Sequence, residues 1–142
     1  PGHTEQLHCD ANDGTLVQLR GRKKVILFPA SEWLNLYPFP TGIGINEAWS
    51  RINLQAVDVK SYPHVRSALP KRCEVILGEG DALYIPACWA HQITGLEDDG
   101  DSSESSHVFS VNRFWRTDMK RSLRWLPEEV GKFIKEQFPD GI

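Results

Sequence analysis

Two polar segments far apart in the chain place the strongest demand on its fold. One is His8-Cys9-Asp10 near the start; the other is His91, which closes the run Gly80-Asp81-Ala82-Leu83-Tyr84-Ile85-Pro86-Ala87-Cys88-Trp89-Ala90-His91. Side chains alternate along a strand, so His8 and Asp10 leave the backbone on one face and Cys9 on the other. A second strand bringing His91 alongside would gather two imidazoles and one carboxylate about a single point. That donor set suits non-haem Fe(II) and leaves coordination positions open for a co-substrate and O2. Each half is weak alone. His-x-Asp is a common tripeptide, and a histidine after an apolar run is more often a hydrogen-bonded core or rim residue. Context strengthens the pair: the first segment precedes a turn and two strand patterns, and the second follows a Gly-Asp turn, a strand and a proline.

The remaining patterns are mostly those of short strands. Thr15 to Leu19 and Lys23 to Phe28 read as two strands joined across Arg20-Gly21-Arg22, with the glycine supplying the turn. Ser31 to Tyr37 reads as a short helix capped by Ser31, and Pro38 to Asn46 as irregular loop. Ala56 to Val59 is a weak strand pattern, Cys73 to Leu77 a better one, and Gly78 to Asp81 a tight turn before the strand Ala82 to Ile85. Glu97 to Ser106 is acidic, serine-rich loop, and Val108 to Trp115 returns to strand. Strands of this number and spacing predict a β-sandwich or small barrel. Beyond Thr117 the pattern turns helical, over Met119 to Leu126 and Pro127 to Phe138. Val130, Phe133, Ile134 and Phe138 share one face there, a packing surface against the sheet or a second copy of the chain. The expected division is a core over 1–116 and a helical segment over 117–142.

Composition narrows the function classes. At 142 residues the chain is one domain with room for a single core. Its net charge of -3 does not suit a protein that simply coats nucleic acid, although a local basic patch remains compatible with it. No apolar run approaches the roughly 20 residues that span a bilayer. Cys9, Cys73 and Cys88 are odd in number and lack C-x-x-C spacing, which suggests neither a disulfide framework nor a structural zinc site. Reduced thiols and an oxidisable Fe(II) fit an intracellular setting. The chain opens at Pro1, close before His8, and reads as part of a longer protein whose upstream elements would contribute to substrate binding.

With these residues in view, the chain resembles the Jumonji-C branch of the cupin fold. The likeness runs from Gly2 to about Trp115 and rests on His8-Cys9-Asp10, on Leu16 to Lys24, on Gly80 to His91 and on Val111 to Trp115. Within that branch the chain is most similar to the small hydroxylases, the tRNA wybutosine-synthesising hydroxylase among them. The resemblance implies a mainly β fold, a double-stranded β-helix (cupin or jelly-roll) with C-terminal helices. It implies an Fe(II)- and 2-oxoglutarate-dependent dioxygenase that hydroxylates a C–H bond, with His8, Asp10 and His91 holding the metal. Lys23 matches the cation that pairs with the distal carboxylate of 2-oxoglutarate, and Asn112 an amide near metal and co-substrate. Without the family, Lys23 reads as part of a solvated hairpin and Asn112 as an ordinary strand residue. Gly14 and Thr15 depart from the pattern, standing where related hydroxylases often carry Asn and an aromatic residue. Thr4 also offers a hydroxyl, at an offset from His8 that does not match.

The resemblance implies a tRNA nucleoside as substrate, with a protein side chain as the alternative and lysine demethylation as a third reading. It also implies a homodimer through the C-terminal helices. A non-catalytic module that keeps the fold is the contrasting class. Arg113, Arg116, Lys120, Arg121 and Arg124, with Trp115 and Trp125 interleaved, could contact RNA, though such a stretch is more often a solvated face. His3, His64 and His107 lack partners at ligand spacing and read as surface residues. Trp33, Tyr37 and Trp49 read as packing or as the lining of a substrate mouth.

Overall fold

The computed structural model describes residues 2–39, 47–96 and 107–115. Two antiparallel sheets organise them. The strands are β1 (His8–Asp10), β2 (Asp13–Arg20), β3 (Arg22–Phe28), β4 (Glu47–Trp49), β5 (Cys73–Leu77), β6 (Ala82–Ile85), β7 (Ala90–Leu96) and β8 (Phe109–Trp115). One sheet has the order β4-β1-β7-β3-β5 and the other β6-β2-β8. Consecutive strands therefore often fall in different sheets, as a double-stranded β-helix requires. The mainly β expectation holds. The expected C-terminal helices, the boundary at 116 and the acidic loop lie outside the described residues.

Two apolar clusters hold this arrangement. Leu16, Val25, Leu27, Leu77, Ile85 and Ile93 come from both sheets and fill the space between them. Leu7, Cys9, Ile26 and Phe28 lie on the other face of the larger sheet, packed with Trp33 and Leu36. The alternation of β3 makes both layers possible. Val25 and Leu27 point inward while Ile26 and Phe28 point outward, and all four are buried. The β2–β3 turn needs its glycine. Gly21 has φ +69°, and a Cβ there would lie 3.2 Å from the His107 carbonyl oxygen and from Val108 Cγ2.

Several local expectations are corrected. Residues Ala30–Leu36 form a 3-10 helix preceded by Pro29, with no side-chain cap. The Ser31 hydroxyl, expected to cap, instead donates to Glu32 Oε1 at 3.3 Å. Ala56 to Val59 contains no strand. The strand expected to bring His91 beside His8 is β7, while β4 has no counterpart in the sequence reading. No helix among the described residues is long and apolar enough to cross a membrane.

Glu32 is a buried carboxylate on that 3-10 helix, held by Lys71 Nζ, Asn35 and Ser31. Burial works to raise its pKa, but the hydrogen bonds from Lys71, Asn35 and Ser31, with the Lys71 charge, outweigh it and hold the group below its ordinary 4.5. A depressed folded pKa contributes stability above the ordinary value, and that contribution is lost as pH falls through the folded value. Glu32→Gln is expected to cost about 1–3 kcal/mol at neutral pH, the scale for a disrupted buried charged hydrogen-bond set. Urea titrations at pH 7 and in the acid range check this, because the gap between variant and wild type should close in acid.

Candidate metal centre

Strand register brings the two distant segments together. His8 on β1 pairs directly with His91 on β7, and cross-strand partners share a face. The segment before β7 is tied to the start of the chain at two points. Cys88 N–H donates to the Asp10 carbonyl at 2.8 Å, and Ala87 N–H to Asp13 Oδ1 at 2.9 Å. Cys88 takes a left-handed backbone conformation, φ +62°, which turns the chain into β7. These contacts account for the run of small and turn-forming residues before His91.

The resulting cluster is tight. One ligand atom each from His8, Asp10 and His91 lie within 4.8 Å of one another. His91 Nε2 is 3.7 Å from Asp10 Oδ2, and the two imidazole centroids are 4.4 Å apart. Both histidines are oriented in the same way. His8 Nδ1 lies 2.8 Å from the Gln6 carbonyl oxygen and His91 Nδ1 lies 3.0 Å from that of Trp89. A carbonyl only accepts, so each Nδ1 carries a proton, and in the neutral ring the Nε2 lone pair is then the one left for the cluster. Burial holds the His91 pKa below its ordinary value. The Trp89 carbonyl opposes this shift, His8 adds to it, and Asp10 and Glu5 oppose it. The donor set fits a divalent ion: two neutral imidazoles and a carboxylate converging from one side.

Cys9 faces away, as its place between the two ligands requires. It packs in the outer apolar cluster, and burial, with Cys88 and Asp10, pushes its thiol pKa well up. Burial and then Asp13 raise that of Cys88. All three cysteines are free. Trp49, which read as packing or substrate mouth, stacks on His8 with centroids 4.7 Å apart. Trp33 is core, and Tyr37 packs against that core and accepts from His64 N–H.

A cupin-like domain model matches residues 1–121. This chain belongs to the cupin-like, Jumonji-C family. It is 31% identical over 126 residues to lysine-specific demethylase JMJ31 of Arabidopsis thaliana, covering 89% of this chain and 21% of that protein. It is 33% identical over 116 residues to tRNA wybutosine-synthesizing protein 5 of Danio rerio, covering 82% and 30%. Lysine-specific demethylase 8 of Xenopus tropicalis is 32% identical over 114 residues, covering 80% and 23%. The cupin-like chain thus spans less than a third of the length of each of these relatives.

The remaining expected site residues of this cupin-like core lie on the inner face. On β3, Lys23 pairs with Gly95 of β7 and Leu77 of β5, while Leu27 pairs with His91. Lys23 therefore shares the face of His91, four residues along, about 13 Å at 3.3 Å per residue. Its Nζ bonds Ser110 Oγ of β8. It has no carboxylate ion-pair partner among the described residues. Desolvation lowers its pKa, with Glu5 acting the other way, so an anion beside it would relieve that cost. Gln18, fully buried, has an Oε1 with no hydrogen-bond partner and is registered opposite Ser110. Asn112 is registered opposite Leu16, and its Oδ1 would lie 3.6 Å from a Cβ at Gly14. Phe114 would meet that Cβ at 3.5 Å, so β8 supplies an aromatic ring and an amide beside the bare position. Thr4 bonds Thr94 Oγ1 instead of facing the cluster. His3, His64 and His107 are exposed, as expected. Of the basic stretch, only Arg113 and Trp115 are described, the guanidinium 4.7 Å over the ring.

Proposed function

We propose that this chain is the catalytic core of an Fe(II)- and 2-oxoglutarate-dependent oxygenase that hydroxylates a C–H bond of a macromolecular substrate. One observation carries the reading: two imidazoles with both Nε2 atoms presented, and one carboxylate, meet at a single point on the inner face. His8, Asp10 and His91 would hold Fe(II), which when bound supplies O2 activation coupled to oxidative decarboxylation of 2-oxoglutarate to succinate. Lys23 anchors the distal carboxylate of the co-substrate, the position its half-buried and carboxylate-free ammonium favours. A lysine side chain and a five-carbon dicarboxylate together can bridge the distance from Lys23 to the His91 row. Asn112 offers an amide to the co-substrate from β8. Leu16, Val25, Leu27 and Ile93 exclude water from the floor beneath.

The favoured substrate is a modified nucleoside in tRNA. Two features support it: the likeness to tRNA wybutosine-synthesizing protein 5, and the exposed Arg113–Trp115 pair, a surface of the kind on which bases stack. A protein side chain is the alternative, favoured by relatives named as lysine-specific demethylases. We place the catalytic core over 1–116, in an intracellular protein that forms a homodimer. Succinate release on adding tRNA, against histone-type or other peptides, tests the substrate. Stimulation by tRNA that fades with added salt supports the first reading. Stimulation by peptide alone selects the alternative. Metal and co-substrate binding with no turnover on any substrate points to the non-catalytic module.

A further inference from the structure

A second carboxylate borders the ligand cluster. The segment ahead of β1 runs beside β7: Gly2 N–H donates to the Gly95 carbonyl at 2.8 Å and Glu5 N–H to the Ile93 carbonyl at 2.9 Å. Thr4 bridges Thr94, and their hydroxyls meet at 3.0 Å on the outer face of the sheet. Alternation then sends the neighbouring Glu5 side chain to the inner face, level with Ile93. Ile93 lies between His91 and the Gly95–Lys23 pair. Glu5 thus stands where a co-substrate running from the metal ligands to Lys23 must pass.

Its carboxylate approaches one member of the cluster, His8, although it does not yet lie within reach of all three donors. Glu5 Oε1 is 3.8 Å from His8 Nε2, the nitrogen that presents a lone pair. The spacing matches the 3.7 Å between His91 Nε2 and Asp10 Oδ2 within the cluster itself. No hydrogen bond from a described residue ties the Glu5 carboxylate elsewhere, and the side chain is 45% exposed. It can therefore move toward an ion without breaking a buried contact.

We propose that Glu5 is a fourth protein ligand to the metal while the co-substrate is absent, and that 2-oxoglutarate must displace it. The proposal rests on the iron-site reading above. A three-donor set would leave positions open on a bound ion, and a hard carboxylate oxygen such as that of Glu5 would suit a divalent ion. Glu5 then strengthens metal retention in the resting protein and opposes binding of a dianion. It is a residue that sets the co-substrate affinity of this chain, and nothing in the sequence singles it out.

Anaerobic titration of the full chain with Fe(II), followed by 2-oxoglutarate, tests this on wild type, Glu5→Gln, Glu5→Asp and Asp10→Ala. Glu5→Gln is expected to bind Fe(II) at least about tenfold more weakly, since even a group that only supports a metal site costs about that much when lost. Its half-saturating 2-oxoglutarate concentration should fall by a similar factor. Glu5→Asp keeps the charge but shortens the reach, and should lose Fe(II) affinity as Gln does. Unchanged Fe(II) affinity in Glu5→Gln overturns the proposal, even with altered co-substrate binding, because Glu5 would then act only as a nearby charge. Wild-type affinity in Glu5→Asp with loss in Gln overturns it for the same reason. Failure of wild type to bind Fe(II), or equal binding by Asp10→Ala, would instead remove the iron-site reading itself.

Discussion

Asp10→Ala is expected to lower Fe(II) affinity by more than about a hundredfold, beyond the range seen when only a supporting group is lost. The variant removes the only carboxylate of the three-residue cluster; two imidazoles, with Glu5 bordering only His8, do not replace it and hold a divalent ion poorly. The fold should survive. The backbone contact that positions β7 uses the Asp10 carbonyl, not its side chain, and the pairing of His8 with His91 is set by the strands. Thermal melts separate the two effects. A ligand that binds only the folded state raises the melting temperature by mass action. Added Fe(II) should therefore raise the wild-type midpoint and leave that of Asp10→Ala unmoved, with the two metal-free midpoints close together. A metal-dependent rise of equal size in both proteins would place the ion elsewhere.

Lys23→Ala carries the second large effect. Its ammonium is half-buried, bonded to Ser110 and without a carboxylate partner among the described residues. Removing it leaves the distal carboxylate of 2-oxoglutarate facing an apolar wall. Truncating one partner of a desolvated charge pair costs about 2 kcal/mol or more, which is about thirtyfold in affinity. Fe(II) affinity should not change, because Lys23 lies four residues along β3 from Leu27, the partner of His91. Isothermal titration of the iron-loaded protein reads this directly. Lys23→Arg should rescue little, since a planar fork cannot take the place of a compact ammonium bonded to Ser110.

The part of this site set by alternation could be read in the sequence. His8 and Asp10 on one face, and Cys9 on the other, follow from period two alone. Lys23 shares the face of Val25 and Leu27, yet read alone it passes for part of a solvated hairpin, and only the resemblance pointed to a role for it. What alternation does not contain is register between distant strands. Nothing in the residues before His8 reveals that Thr4 pairs with Thr94, so nothing there shows that Glu5, and not Thr4, faces the cluster. β4 was missed because three residues carry too little pattern to stand apart from a loop, and its strand character comes from pairing with β1. The strand carrying His91 was expected, but its run to Leu96 was not, because Gly95 and the buried polar Gln92 blur the apolar pattern. Ala56 to Val59 failed in the opposite direction: apolar alternation is present, but no strand pairs with it. Trp49 had two readings in the sequence, and only the fold stacks it on His8.

The proposed activity requires that His8, Asp10 and His91 hold Fe(II) with 2-oxoglutarate chelated beside it and anchored by Lys23. Visible absorption of the anaerobic protein with Fe(II) and 2-oxoglutarate tests it most directly. A metal-to-ligand charge-transfer band is expected that disappears in Asp10→Ala and needs more 2-oxoglutarate in Lys23→Ala. No band in a protein shown to have bound Fe(II), or a band unaffected by Asp10→Ala, would contradict it.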